Sequence, residues 1–365
     1  MKISIIGTVG VPGRYGGFET LAENLVRHHA ENRLPGTLTV YCSRAAYPEM
    51  PPRYLSARLR YSRFRANGLQ SVPYDMLTLL DAVFRRADTI LLLGVSGAAI
   101  LPLVRLVSGA RIITNVDGIE WKRDKWRGVA KWFLRFSEKM AVRYSHEVIA
   151  DNQGIADHIV ARYKTPCRVI AYGGDHALSE APQPVTGLDI PDSYAFALCR
   201  IEPENNVEMI LEAVSALPAR HLVFVGNWKS SAFGQNMLAR FGQMPNLNLL
   251  DPIYELGKLR TLRAGAEVYI HGHSAGGTNP SLVEMMHFGL PVLAFDCVFN
   301  RFTTDGKAAY FSDAGGLARQ LSKMAPEKAA AIGADMARLA QARYTWAKIG
   351  EAYFGLLTSE NGAIV

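Results

Sequence analysis

VYIHGHSAGGTNPSLVEMMHFGLPVLAF, residues 268–295, decides the fold. Val268–His271 reads as a short buried strand, and Gly272 to Gly277 interrupt it. Thr278 or Asn279 then supplies an N-cap and Pro280 the first helical position. A helix is expected over Pro280–Phe288, stopped by Gly289, with a second strand at Pro291–Phe295. Strand, helix and strand at this spacing form a parallel βαβ unit.

The alternation continues in both directions. Upstream, strands are expected at Lys2–Ile6, Leu38–Cys42, Thr89–Leu93, Arg111–Asn115, Glu147–Ala150 and Cys167–Ala171. Helical spacing appears near Phe18–His29 and, with apolar residues at Val129, Trp132, Phe133, Phe136, Met140 and Val142, over Trp126–Tyr144. Leu178–Pro191 holds three prolines and reads as a linker. After it come strands at Tyr194–Leu198, His221–Val225 and Leu247–Leu249, helices at Val207–Ala216 and Ser231–Phe241, and a last helix at Trp346–Leu357. The fold class is α/β: two doubly wound, Rossmann-like parallel-sheet domains facing across a cleft, with ligands at the carboxyl ends of the strands.

Length and composition agree. The chain has 365 residues, 49% hydrophobic, 10% aromatic and 20% charged, which excludes disorder, collagen and coiled coil as overall descriptions. No apolar run reaches a membrane span, and MKISIIG enters a strand at once, without a signal-peptide pattern. Cys42, Cys167, Cys199 and Cys297 show no CxxC spacing, so a reducing cytoplasm is expected and neither a disulfide framework nor a zinc site. Net charge is +7, unevenly spread: residues 1–180 hold 25 Lys+Arg against 16 Asp+Glu, the remainder 15 against 17. A basic first half suits a phosphorylated substrate or an anionic membrane surface. No recognisable nucleic-acid module organises those charges, so no nucleic-acid partner is expected.

Several motifs carry chemistry. Gly7, Gly10, Gly13, Gly16 and Gly17 fill the first strand-to-helix turn with spacing G-x-x-G-x-x-G. The dinucleotide fingerprint is absent, and the second strand ends at Arg44 without an acid for a ribose hydroxyl. Gly272–Gly276 matches G-x-S-x-G, but only His287 follows Ser274, inside the next helix, so a hydrolase triad cannot be ordered. The better reading joins Gly276, Gly277, Thr278, Asn279 and Ser281 into an anion-binding helix start, with Glu284 one turn in to accept from vicinal hydroxyls. Arg200, at a strand end before Glu204, Asn205 and Asn206, fits a phosphate clamp. Gly226-Asn227-Trp228-Lys229 ends another strand, where Asn227 and Trp228 frame a base or simply pack. Asp117, Glu120, Trp121, Lys122, Arg123 and Trp126 crowd a further turn, with Asp117 placed to orient or deprotonate a hydroxyl. His271 and His273 read as a satisfied polar pair rather than metal ligands.

Together these residues resemble a GT-B glycosyltransferase of family 4. GGTNPSLVEMMHFGLPVLAFD is similar to that family's sugar-nucleotide segment, Arg200 in LCRIEPENN to its phosphate-binding arginine, and Tyr344–Leu357 to its final helix. GTVGVPGRYGGFETLAENL and NVDGIEWKRDKW resemble the bacterial branch with a DUF1972 N-terminal domain, which includes rhamnosyltransferases of polysaccharide assembly. Three positions depart from the pattern. Gly276 stands where the first of two glutamates usually lies, Asn205 or Asn206 where a lysine usually follows the arginine, and Asp117 near the usual histidine.

The resemblance implies an acceptor domain at 1–180, a nucleotide-sugar domain at 181–344, and a helix at 345–358 crossing back onto the first. It implies retaining transfer from dTDP-L-rhamnose or another nucleoside diphosphate sugar, with no metal cofactor. The acceptor is a saccharide or a polyprenyl-diphosphate-linked saccharide at the inner membrane face. Donor contacts are expected from Gly16, Gly17, Arg200, Asn205, Asn227, Lys229, Gly276, Gly277, Thr278, Asn279, Ser281 and Glu284. Acceptor contacts are expected from Tyr15, Phe18, Glu19, Asp117, Glu120, Trp121, Lys122, Arg123 and Trp126. Asp117, Arg200 and Glu284 are the candidate catalytic residues. A UDP- or GDP-hexose donor, a sugar-nucleotide epimerase and a non-catalytic nucleotide-sugar-binding partner are the alternatives.

Overall fold

The computed structural model describes residues 1–13, 16–116, 118, 119, 121 and 127–359. The chain divides into two compact units: Met1–Ala171 with the segment from Trp346 onward, and Tyr172–Thr345.

In the first unit the order is β1 (Lys2–Ile6), α1 (Gly17–Glu31), β2 (Thr37–Ser43), β3 (Arg53–Tyr54), β4 (Ala57–Ser62), α2 (Ser71–Phe84), β5 (Thr89–Leu93), α3 (Leu101–Val107), β6 (Arg111–Val116), α4 (Gly128–Tyr144), β7 (Glu147–Ala150), α5 (Gln153–Tyr163) and β8 (Arg168–Val169). The sheet runs β3-β4-β2-β1-β5-β6-β7-β8. Every pairing is parallel except β3 with β4. β5 is buried throughout, as a central strand covered on both faces must be.

Side-chain alternation along the strands sorts the covering layers. Ile90, Leu92 and Ile112 point into a core shared with Leu79 and Ala82 of α2, Leu101 and Val104 of α3, and Ala141 of α4. Thr89 and Asn115 face the other way. They bond α13 (Trp346–Thr358): Thr89 Oγ1 donates to the Leu357 carbonyl at 3.2 Å, and Asn115 Nδ2 to the Tyr353 hydroxyl at 2.6 Å. α13 also packs along α1.

The second unit holds β9 (Ala195–Leu198), α6 (Val207–Ser215), β10 (Leu222–Val225), α7 (Ala232–Phe241), β11 (Leu247–Leu250), α8 (Leu256–Ala264), β12 (Val268–His271), α9 (Pro280–Met286), β13 (Val292–Phe295), α10 (Val298–Thr303), β14 (Ala309–Phe311), α11 (Ala314–Lys323) and α12 (Pro326–Arg343). Its six-stranded sheet is wholly parallel, in the order β11-β10-β9-β12-β13-β14. β12–α9–β13 is the unit expected from residues 268–295, with α9 two residues shorter at its C-terminal end.

Candidate functional site

The carboxyl ends of adjacent β9 and β12 are laced together. Asn205 is buried: its Nδ2 donates to the Arg200 carbonyl at 2.6 Å, and its Oδ1 pairs with His273 Nδ1 at 2.5 Å. Asn206 Nδ2 donates to the Gly272 carbonyl at 2.8 Å. Ser274 donates through both its backbone N–H and its hydroxyl to the Glu204 carbonyl. The serine of the G-x-S-x-G match is therefore a loop staple. Asn205 and Asn206 hold the turn that presents Arg200 instead of offering their own amides. Arg200 remains accessible, its side chain 42% exposed and 3.7 Å from Glu202.

At the start of α9, Asn279 Oδ1 accepts from the Ser281 backbone N–H at 3.0 Å and from its hydroxyl at 2.7 Å. The Ser281 hydroxyl also lies 3.0 Å from Tyr269, which in turn contacts His271 Nδ1 at 3.2 Å. Burial, with His273 beside it, holds the His271 imidazole well below its ordinary range, so it is neutral. Thr278 and Gly277 are buried in the loop, and Gly276 bends it with a φ of 106°. The cap expected from Thr278 or Asn279 belongs to Asn279.

Glu284, one turn further on, is gripped from two sides. Arg263 Nη2, on α8, pairs with Oε2, and His176 Nε2 lies 3.3 Å from Oε1. The Arg263 side chain is 3% exposed and Glu284 12%. Burial pushes the Glu284 carboxyl up, but Arg263 and His176 outweigh it and hold the group below its ordinary value. His176 reaches this position because Gly174 lies against the α9 backbone, where a Cβ would stand 2.6 Å from the Val283 carbonyl. Sequence reasoning missed both partners. Arg263 looks like any arginine of a basic helix, and His176 sits beside the stretch read as linker. The double glycine Gly173-Gly174 was the available signal.

Two other expected donor residues are engaged locally. Asn227 accepts from the Ile201 N–H at 2.7 Å and donates to Ser230 at 2.7 Å. Lys229 makes an exposed 2.7 Å ion pair with Asp251. Trp228 packs: it is buried edge-on against Phe224, and its indole N–H donates to the Leu250 carbonyl.

In the first unit, Gly16 holds a φ of 133° and Gly17 opens α1. Phe18 lies beneath Gly94 in the loop after β5. Glu19 is buried and accepts from the Val9 N–H at 2.8 Å and the Thr8 hydroxyl at 3.3 Å, while burial pushes its carboxyl up. Trp121 donates from Nε1 to the buried Glu138 at 2.9 Å, with Arg135 and Arg162 stacked on its ring. Tyr15, Asp117, Glu120, Lys122, Arg123 and Trp126 lie outside the described residues. Among the described residues no group of three potential metal ligands comes together.

Two units of parallel sheet and helix, with charged and capping groups at the strand ends, define the GT-B class, and the comparisons agree. Sucrose-phosphate synthase from Thermosynechococcus elongatus superposes with a TM-score of 0.77 at 16% identity, over 97% of each chain. The Anabaena protein HepE, in complex with UDP-glucose, gives 0.72 at 15%, over 99% of this chain and 100% of that one. A glycosyltransferase from Rickettsia africae gives 0.71 at 12%, over 98% of both. At these identities the likeness is one of fold. Residues 193–326 match the family model described as glycosyl transferases group 1, and residues 1–175 match a domain of unknown function, DUF1972. No curated protein matches. The chain is a glycosyltransferase of GT-B type.

Proposed function

We propose that the protein moves a sugar, with retention of configuration, from a nucleoside diphosphate sugar to a saccharide hydroxyl in bacterial surface polysaccharide assembly. The donor in this reading is dTDP-L-rhamnose, and the acceptor saccharide is carried on a polyprenyl diphosphate at the inner membrane face. The observation that carries the reading is the Glu284–Arg263–His176 cluster, beside the Asn279-capped loop and on the same sheet edge as Arg200. Glu284, held ionised between Arg263 and His176, keeps lone pairs for ribose hydroxyls. Arg200 and the backbone N–H groups of Gly276–Asn279 stabilise charge developing on the departing diphosphate, so the reading requires no metal. The glycine loop of the first unit, with Asp117 to Trp126, receives the acceptor. A second reading, a UDP-hexose donor, draws support from the UDP-glucose bound to HepE.

A thermal-shift screen against dTDP, UDP, GDP, ADP and NADP tests the donor. A ligand at about 100 times its Kd adds about 2.7 kcal/mol of stability. A shift with dTDP alone supports rhamnose, a shift with UDP alone selects the second reading, and a shift with NADP alone overturns both. Arg200→Ala, whose exposed side chain the fold does not need, should lower transfer about 10²–10³-fold.

The outer surface of the first unit supports membrane docking. Among the described residues, 19 large hydrophobic side chains are exposed, and nine lie on α2, α3 and α4: Leu77, Leu80 and Phe84, then Leu103, Leu106 and Val107, then Val129, Trp132 and Phe136. These three helices cover one face of the sheet. The exposed charges of α4 are all basic, at Arg135, Lys139 and Arg143. Apolar stripes framed by cations suit an anionic bilayer surface. Vesicles containing phosphatidylglycerol should sediment the protein at low salt, and Trp132→Glu with Phe136→Glu should abolish this. Equal binding to purely zwitterionic vesicles would sink the electrostatic part of the proposal.

A further inference from the structure

Another buried acid lies at the strand ends of the first unit, outside the sequence motifs. Asp75, on α2, is 3% exposed. Its Oδ2 accepts a hydrogen bond from the Ser96 hydroxyl, in the loop after β5. Its Oδ1 has no hydrogen-bond partner among the described residues. No cation is paired with it there. Ser96 itself is only half-buried. The close approach is built in: a Cβ on Gly97 would stand 2.6 Å from that of Asp75, so only glycine lets the loop sit on the helix.

The surroundings tie this pair to the glycine loop. Tyr74, beside Asp75, donates to the Thr8 carbonyl at 2.9 Å. The Thr8 hydroxyl bonds Glu19. Among the described residues, the titratable groups around this corner are Tyr74, Glu19, Cys42 and Tyr47, and none of these is basic. Burial, outweighing the Ser96 hydrogen bond, pushes the Asp75 carboxyl up to about 7. A carboxyl poised there can accept a proton near neutral pH and release it again.

We propose that Ser96 and Asp75 form a proton relay for the acceptor hydroxyl. The inference rests on the transfer reaction proposed above. As the acceptor oxygen bonds to the anomeric carbon, the bond from that carbon to the diphosphate oxygen breaks, and its electron pair leaves with the diphosphate. The acceptor's hydroxyl proton passes to Ser96 Oγ while the Ser96 proton passes to Asp75. Asp75 later returns it to solvent. Ser96 touches substrate, and Asp75 acts through it as a positioning residue and proton store.

The test is the pH dependence of transfer by the full chain, with the donor found in the screen and an oligosaccharide acceptor. Wild-type kcat should rise with pH through a midpoint near 7. Asp75→Asn should lower kcat about 10²-fold, leave donor KM unchanged and flatten that rise. Ser96→Ala, which removes only the accessible hydroxyl, should give the same loss, so the test survives if Asp75→Asn folds poorly. Wild-type rates in both variants would overturn the relay while leaving the transferase reading intact. So would a lower rate that keeps the wild-type pH profile. Failure of the wild-type protein to transfer from any donor would overturn both.

Discussion

Glu284 in the second unit, 12% exposed, and Asp75 in the first, 3% exposed, are both pushed up by burial, yet they end on opposite sides of their ordinary values. Glu284 lies between Arg263 and His176 and is held below its ordinary value. Asp75 meets only a hydroxyl and rises to about 7. Burial alone does not set a carboxyl's role; the charge of its partner does. A carboxylate fixed by an arginine is a permanent acceptor, suited to holding sugar hydroxyls. A carboxyl without a cation can change state, suited to moving a proton.

Removing a cation is the harshest way to break this contrast. Arg263→Ala leaves Glu284 buried against His176 alone, and loss of one partner from a buried pair costs about 3–5 kcal/mol. The expected result is a large fall in the urea midpoint and loss of the nucleotide thermal shift. Retention of both would show that the pair is not the anchor of the site.

The pH dependence of stability sharpens the comparison. Glu284, lowered from 4.5, contributes stability that is present above its unfolded value and lost as pH falls through the folded one. Asp75 works in the other direction. Its folded value of about 7 exceeds the ordinary 3.8, so folding is penalised increasingly as pH rises across that window. Asp75→Asn should therefore raise Tm at pH 8 by a few degrees relative to wild type, and leave it nearly unchanged at pH 4. Equal shifts at both pH values would refute the assignment.

The smallest effect is expected at Lys229. Its ion pair with Asp251 is exposed on both sides, 73% and 58%, and such pairs contribute at most about 1 kcal/mol. Lys229→Ala should leave Tm within about 2 °C, and its effect on nucleotide binding then measures whether the amine reaches the diphosphate.

Much of this architecture was legible because its signals are local. Asn279, Pro280 and Gly289 bound α9 by capping chemistry alone, and the apolar run Ile90–Leu93 marks a strand that the structure buries throughout. Nothing in the sequence reading assigns Ser71–Phe84 as a helix. Leu77, Leu80 and Phe84 put apolar residues on its outer face as well as its inner one, which blurs the 3.6-residue period. The site divides the same way. Arg200 stands at a recognisable strand end and Glu284 one turn into a recognisable helix start. The Arg263–Glu284–His176 cluster is assembled from three separated segments, and the Asp75–Ser96 pair from two. No pattern along the chain announces either meeting.

The placement of α13 has a consequence for how the molecule is made. Asn115 is buried in β6, and its amide is bonded by Tyr353, a residue synthesised only after all of Tyr172–Thr345. Until then Asn115 and Thr89 face an uncovered sheet, because the helix that satisfies them has not emerged. Domains generally fold as units, the earlier one first during synthesis. Here the earlier unit has to wait. The face of its sheet that carries Asn115 and Thr89 is completed only by a helix translated after the whole of its neighbour.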